Sequence, residues 1–213
     1  FLEGTEREVQ TIDTLLRNKQ IPVALMSGMA GTEESFKQLS GQSITLLHVA
    51  THGFYSPLTG HYTAQRSFEE QALSRSGLFL SGAAASLNMK KIPEDIEDGI
   101  LTAKELSKLD LSNLNLAILS ACQTGLGEIV GDGVFGLQRG FKKAGAQTLL
   151  MSLWKVDDTA TQLLMAEFYK NLVSGQNKRA AFLNAQKYLR SYQNGIYDKP
   201  EYWAAFIMLD GIH

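Results

Sequence analysis

The 213 residues hold a single cysteine, Cys122, only four prolines and no long apolar run, and each scarcity closes off a class of protein. One thiol can form neither an internal disulfide nor a zinc site of several thiolates, and it fits a reducing cytoplasm. No stretch approaches the roughly 18 to 20 uninterrupted apolar residues that cross a bilayer, and no charged-then-apolar secretion signal opens the chain. No membrane association is expected. The surplus of positive charge that phosphate-backbone binding leaves in a sequence is also missing, since 20 lysines and arginines face 22 acids for a formal charge of −2. Nucleic acid is therefore a poor direct partner. An initiator methionine is absent too: the chain starts at Phe1 and enters a helical pattern almost at once, as the C-terminal part of a longer protein would.

What is present is the composition of a folded protein, 44% hydrophobic and 20% charged. Its length suffices for one sizeable core and falls short of the point where cores divide, so a single domain over 1–213 is expected.

Periodicity gives an alternating order of elements. Thr5-Glu6-Arg7-Glu8 reads as a capping box, and Val9, Ile12, Leu15 and Leu16 recur on one helix face behind it. The short apolar run 23–26 after Pro22 predicts a strand, and Thr32 predicts the cap of a second helix that turns Phe36 and Leu39 inward. The run 44–50 is almost continuously apolar, as a strand covered on both faces would be, and stops at Thr51-His52-Gly53. Residues 54–69 read as a long loop, 77–80 as a short strand or edge segment, and 88–99 as a polar connection. Thr102 and Glu105 form a second capping box, opening a short helix with Leu106 and Leu109. The most hydrophobic strand, 116–120, then ends at Ala121-Cys122. A glycine-rich loop over 125–133 precedes a helix marked by Val134, Leu137, Phe141 and Ala144 and stopped by Gly145; strand 148–153, two helices and strand 205–209 complete the chain. Strands alternating with helices predict an open α/β sheet with helices on both faces.

In such sheets functional residues gather beyond the carboxyl ends of the strands, and both His52 and Cys122 stand there. If their strands are neighbours, imidazole and thiol share one cleft, as a thiol protease needs: a thiolate attacks the peptide carbonyl and an imidazole delivers a proton to the departing amine. The backbone amides of Gly53 and Cys122 are candidates for the oxyanion hole. The plainer alternative is a buried structural thiol and a packed core histidine. His48 reads as packing or a supporting group, and His61 and His213 as solvated.

Asp132, Trp154 and Asp157 are candidates for the substrate pocket, lying beyond the strand of Cys122 and the one after it; Asp132 can equally cap the helix starting near Gly133. The glycine-rich segment lacks the Lys-Ser/Thr ending of a P-loop, so no nucleotide is assigned. The acidic run Glu94, Asp95, Glu97 and Asp98 reads as a solvated connection, and no metal is assigned.

Leu-Leu-His-Val-Ala-Thr-His-Gly-Phe-Tyr at 46–55 and Ser-Ala-Cys-Gln-Thr-Gly at 120–125 resemble the paired His-Gly and Ala-Cys motifs of caspase-like peptidases. The run 131–158, with Gly-Asp-Gly-Val-Phe-Gly-Leu-Gln-Arg-Gly-Phe at its start, and Tyr-Trp-Ala-Ala-Phe at 202–206 are similar to the CHAT family of clan CD, found chiefly in bacteria behind tetratricopeptide repeats. The resemblance implies a caspase-like three-layer αβα sandwich with a mostly parallel sheet. It further implies a dyad of Cys122 and His52, and hydrolysis of a protein or peptide substrate without metal or organic cofactor, governed by an upstream tetratricopeptide-repeat region or a regulatory protein. Animal caspases carry Gln before the Ala-Cys pair where this chain has Ser120, so aspartate preference is not carried over. A silent caspase-like scaffold is the alternative function, because fold alone does not establish turnover.

Overall fold

The computed structural model describes residues 3–56, 68–87, 97–120, 127–130 and 133–210. The chain forms two compact units, one from the segments up to Met26 and from Lys155 to Met208, the other from Ser27 to Trp154 with the residues from Leu209 onward.

The second unit is built on a parallel sheet. Strands β1 (Leu46–Val49), β5 (Leu116–Leu119) and β8 (Thr148–Ser152) pair in parallel, with Val49 opposite Leu119 and Leu119 opposite Met151. The last strand, β9 (Phe206–Asp210), has only its final residues in this unit, where Thr148 Oγ1 donates to Asp210 Oδ1 at 2.8 Å. Every residue of β5 and β8 is buried, which explains the unbroken apolar run of β5 and the apolar Leu149–Met151 centre of β8 between the buried Thr148 and Ser152. β1 departs from the predicted fully covered strand: it lies at the sheet's edge, and Leu46 is exposed.

A second sheet follows directly. β2 (His52–Tyr55), β3 (Ser76–Phe79) and β4 (Ile100–Thr102) are antiparallel, with His52 opposite Phe79 and Gly77 opposite Thr102. The loop predicted from Phe54 onward is thus strand as far as Tyr55, and β3 is the central strand of its sheet. Aromatic packing on a glycine is the reason. The Phe54 and Phe79 rings lie 4.9 Å apart at 32°, and a Cβ on Gly77 would fall 2.7 Å from Phe54 Cε1 and 2.5 Å from the Leu101 carbonyl oxygen.

The short helices of this unit are set by local chemistry. Thr32 caps α2 (Glu33–Lys37) by accepting the Ser35 amide at 3.1 Å, and Phe36 is buried. Thr102 and Glu105 form the predicted capping box of α5 (Ala103–Leu106). Between them in the chain stand α3 (Phe68–Leu73) and α4 (Ala83–Leu87). Strands β6 (Gly127–Val130) and β7 (Gly133–Gly136) pair antiparallel where an open loop and the first turn of a helix are expected. Val134 fits either element, being three residues from Leu137 on a helix yet β-branched and able to pair with Ile129 in a strand. Helix α6 (Leu137–Ala144) begins only after β7 and ends, as predicted, at Gly145 with φ 98°.

The first unit is helical. α1 (Glu3–Asn18) starts before Thr5, so the capping box expected there does not form; Gly4 lies against the Asp158 side chain, where a Cβ would be 3.1 Å away. α7 (Asp158–Val173) and α8 (Lys178–Ser191) are capped by Asp157 and Asn177, and a short α9 (Pro200–Trp203) follows. Ile12, Leu16, Leu164, Phe168, Phe182 and Leu189 are buried. Burial, reinforced by Glu8, pushes the Tyr169 phenol well above its usual range. The strand predicted at 23–26 is absent: Pro22 has no amide to donate, and among the described residues Val23 to Met26 receive one hydrogen bond, from Arg17 Nη2 to the Val23 carbonyl. Ile21, Leu25 and Met26 are exposed, and Met29, in the second unit, is 91% exposed.

Two outcomes follow from this packing. Gly77→Ala should lower stability by about 1 to 3 kcal/mol, because its new methyl meets a backbone carbonyl that cannot rotate away; urea denaturation of the variant against wild type measures it. Among the described residues, limited proteolysis should cut first within 21–30, where backbone bonds are fewest, as mass spectrometry of the early fragments would report.

Candidate active site

The site starts from the pairing of β1 with β5. Val49 and Leu119 are register partners, and the Ser120 amide donates to the Val49 carbonyl at 2.9 Å. His52 stands three residues after Val49, and Cys122 three residues after Leu119. The two segments therefore leave the same end of adjacent parallel strands with equal offsets. Cys122 itself lies outside the described residues, as do Asp132, Glu94, Asp95, His61 and His213.

His52 does not close the parallel strand but opens β2, and it is exposed. Side chains alternate along strands, so His52 shares a face with Phe54, and opposite it on that face stands Phe79. The Thr51 hydroxyl donates to the Phe79 carbonyl. Gly53 lies opposite the fully buried Leu78. His48, half-buried in β1, is paired in register with Ile118.

The pocket candidates are placed separately. Trp154 is 37% exposed, two residues past β8. In the first unit, the Asp157 carboxylate accepts the Ala160 amide at 2.8 Å as the cap of α7, a role the sequence pattern allowed for Asp132 and overlooked here.

One charged cluster escaped the sequence reading. Lys37 Nζ lies 2.7 Å from Glu33 Oε1, 2.8 Å from Glu97 Oε2 and 3.3 Å from Glu105 Oε1. Among the described residues, these three glutamates are the group spaced to hold a cation, and the ammonium already sits among them. Glu33, 1% exposed, also accepts the Gly99 amide at 2.9 Å. Burial pushes the Glu33 carboxyl up, against the pull of Lys37, whereas Glu105, although burial raises it, ends below its usual range because Thr102 donates to it twice. Burial alone would lower the Lys37 ammonium, and the carboxylates outweigh it and raise it. Glu97 and Asp98, expected as solvated residues, are tied down: Glu97 to Lys37, and Asp98 Oδ1 to the Ile100 amide at 2.8 Å. The available signal was the four-residue spacing of Glu33 and Lys37 on a helix.

Removing the ammonium leaves carboxylates facing one another. Lys37→Met should cost on the order of 2 to 4 kcal/mol at pH 7. Without Lys37, the folded-state pKa of Glu33 rises further above its unfolded value, and stability then falls as pH rises through that window. The deficit measured by chemical denaturation should accordingly shrink from pH 7 toward pH 4.5, and a deficit independent of pH would contradict this account.

A family model described as "CHAT domain" matches residues 1–211. "Tetratricopeptide repeat protein 28" of Mus musculus is 34% identical over 110 residues, 52% of this chain and 4% of that protein. Its counterpart in Homo sapiens is 32% identical over 114 residues, 54% of this chain and again 4% of the relative. The match thus spans a small fraction of these curated relatives, and both are mammalian, whereas the motif resemblance pointed chiefly to bacteria. With a mostly parallel sheet in an α/β architecture and a match over nearly its whole length, the chain belongs to the CHAT domain family, whose fold is caspase-like.

Proposed function

We propose that this domain is a cysteine endopeptidase in which His52 and Cys122 form the catalytic dyad. The observation that carries the reading is the in-register pairing of β1 with β5, from which both residues follow by the same three-residue step. The Cys122 thiolate attacks the scissile carbonyl; the C–N bond breaks as the His52 imidazolium gives its proton to the leaving amine. Water then hydrolyses the thioester, releasing the acid and restoring thiolate and imidazolium. The amides of Gly53 and Cys122 bind the developing oxyanion, and Asp132 and Trp154 line the substrate pocket. Asp157, already committed to capping α7, is a weaker pocket candidate than its sequence position suggests.

The domain works in the cytoplasm, in keeping with its single thiol, and no described helix is long and apolar enough to cross a membrane. The name of its mammalian relatives supports an adjoining tetratricopeptide-repeat region as the regulator of access to a protein substrate. A silent binding scaffold remains the second reading, favoured by relatives named only for their repeats.

A thiol-directed electrophilic peptide probe separates the two. An assembled dyad labels at Cys122, and Cys122→Ala and His52→Ala each lower peptide hydrolysis by at least about 100-fold. Both variants should keep the wild-type melting curve, since His52 is exposed. Unlabelled Cys122 together with wild-type turnover in either variant would refute the dyad.

A further inference from the structure

We infer that Thr51 is a positioning residue that sets the orientation of His52; this rests on the dyad reading above. The chain changes sheets within two residues. β1 ends at Val49 in the parallel sheet, and β2 starts at His52 in the antiparallel one, so the backbone at Ala50 and Thr51 belongs to neither ladder.

The crossing is fastened on both sides. Before it, the Ser120 amide donates to the Val49 carbonyl at 2.9 Å. Behind it, the Thr51 hydroxyl donates to the carbonyl of Phe79, the residue that faces His52 across the β2–β3 pair. The hydroxyl of the residue directly before His52 thus binds the backbone of the residue directly opposite it.

The side-chain type suits this task. Threonine is branched at Cβ, which leaves few χ1 rotamers, so its hydroxyl holds a direction that a longer polar side chain would not. Thr51 is half-buried, which limits competition from water. Further along, the Ser56 amide bonds the Arg75 carbonyl at 2.8 Å and Phe54 packs on Phe79, so β2 stays paired even without the Thr51 bond. Loss of that bond loosens only the first residue of the strand. That residue is His52, and a displacement of about 1 Å at a reacting group costs on the order of 100-fold in rate.

Cys122 is the sole cysteine, so alkylation by iodoacetamide reads it alone. The rate is followed against pH for the chain and for Thr51→Val, Thr51→Ser and His52→Ala. A histidine cation near the thiol keeps part of it as thiolate below the ordinary pKa of about 8.5. The wild-type profile should therefore extend to lower pH than that of His52→Ala. Thr51→Val should move toward the His52→Ala profile and lose about 10-fold or more of the rate at pH 7, whereas Thr51→Ser should stay within about 3-fold of wild type. If His52→Ala shifts the profile and Thr51→Val does not, the positioning role is overturned and the dyad stands. A melting temperature lowered equally in both Thr51 variants, with no rescue of the profile by serine, marks a structural bond and also overturns it. Identical profiles for wild type and His52→Ala would sink the dyad and the positioning role together.

Discussion

The parallel pairing of β1 with β5, in the register that sets Val49 against Leu119, is the constraint on which the rest of this domain hangs. Parallel strands need a long crossover, and here nearly seventy residues intervene between the two partners. That span holds the whole β2-β3-β4 sheet and the short helices α3, α4 and α5. A one-residue slip would exchange the faces of β5, all of whose residues are buried, and would shift the end from which residues 120–122 depart.

The second sheet depends on this first one because only two residues separate the end of β1 from the start of β2. Its geometry is fixed by a large residue filling the space of a small one, Phe54 over Gly77, with Phe79 beside it. A similar close approach joins α6 to α5: a Cβ on Gly140 would stand 2.8 Å from the Ala103 carbonyl oxygen. Charge then binds what apolar contact leaves loose. Lys37 gathers carboxylates from α2, from the residues before β4 and from α5, and Glu69 on α3 pairs with Lys143 on α6 at 2.8 Å, which holds its carboxyl below the usual range.

Much of the fold was legible where the determinant is local. The caps at Thr32 and Thr102 depend on residues one turn apart, and the stop at Gly145 depends on a left-handed backbone that glycine adopts freely. β5 announces itself by an unbroken apolar run, β8 by its apolar centre Leu149–Met151, and α7 and α8 by their spacing. Legibility failed where the same residues suit two elements. Val134 serves a helix or a strand, and the apolar run 23–26 has strand composition but finds no strand to pair with. It failed again for Glu33, whose buried carboxylate accepts the amide of Gly99, more than sixty positions away.

The sequence alone determined the class of fold, the helices whose caps and apolar faces lie within a few residues, and the two motif segments around His52 and Cys122. Only the tertiary structure decided that the strands before those segments are neighbours, that His52 belongs to a second sheet facing Phe79, and that Asp157 is engaged as a helix cap. The physical reason is the range of the interactions. A cap or a helix face is settled among residues within one or two turns, whereas a strand's partner is chosen among all strands of the chain by burial and register, and no local pattern records that choice.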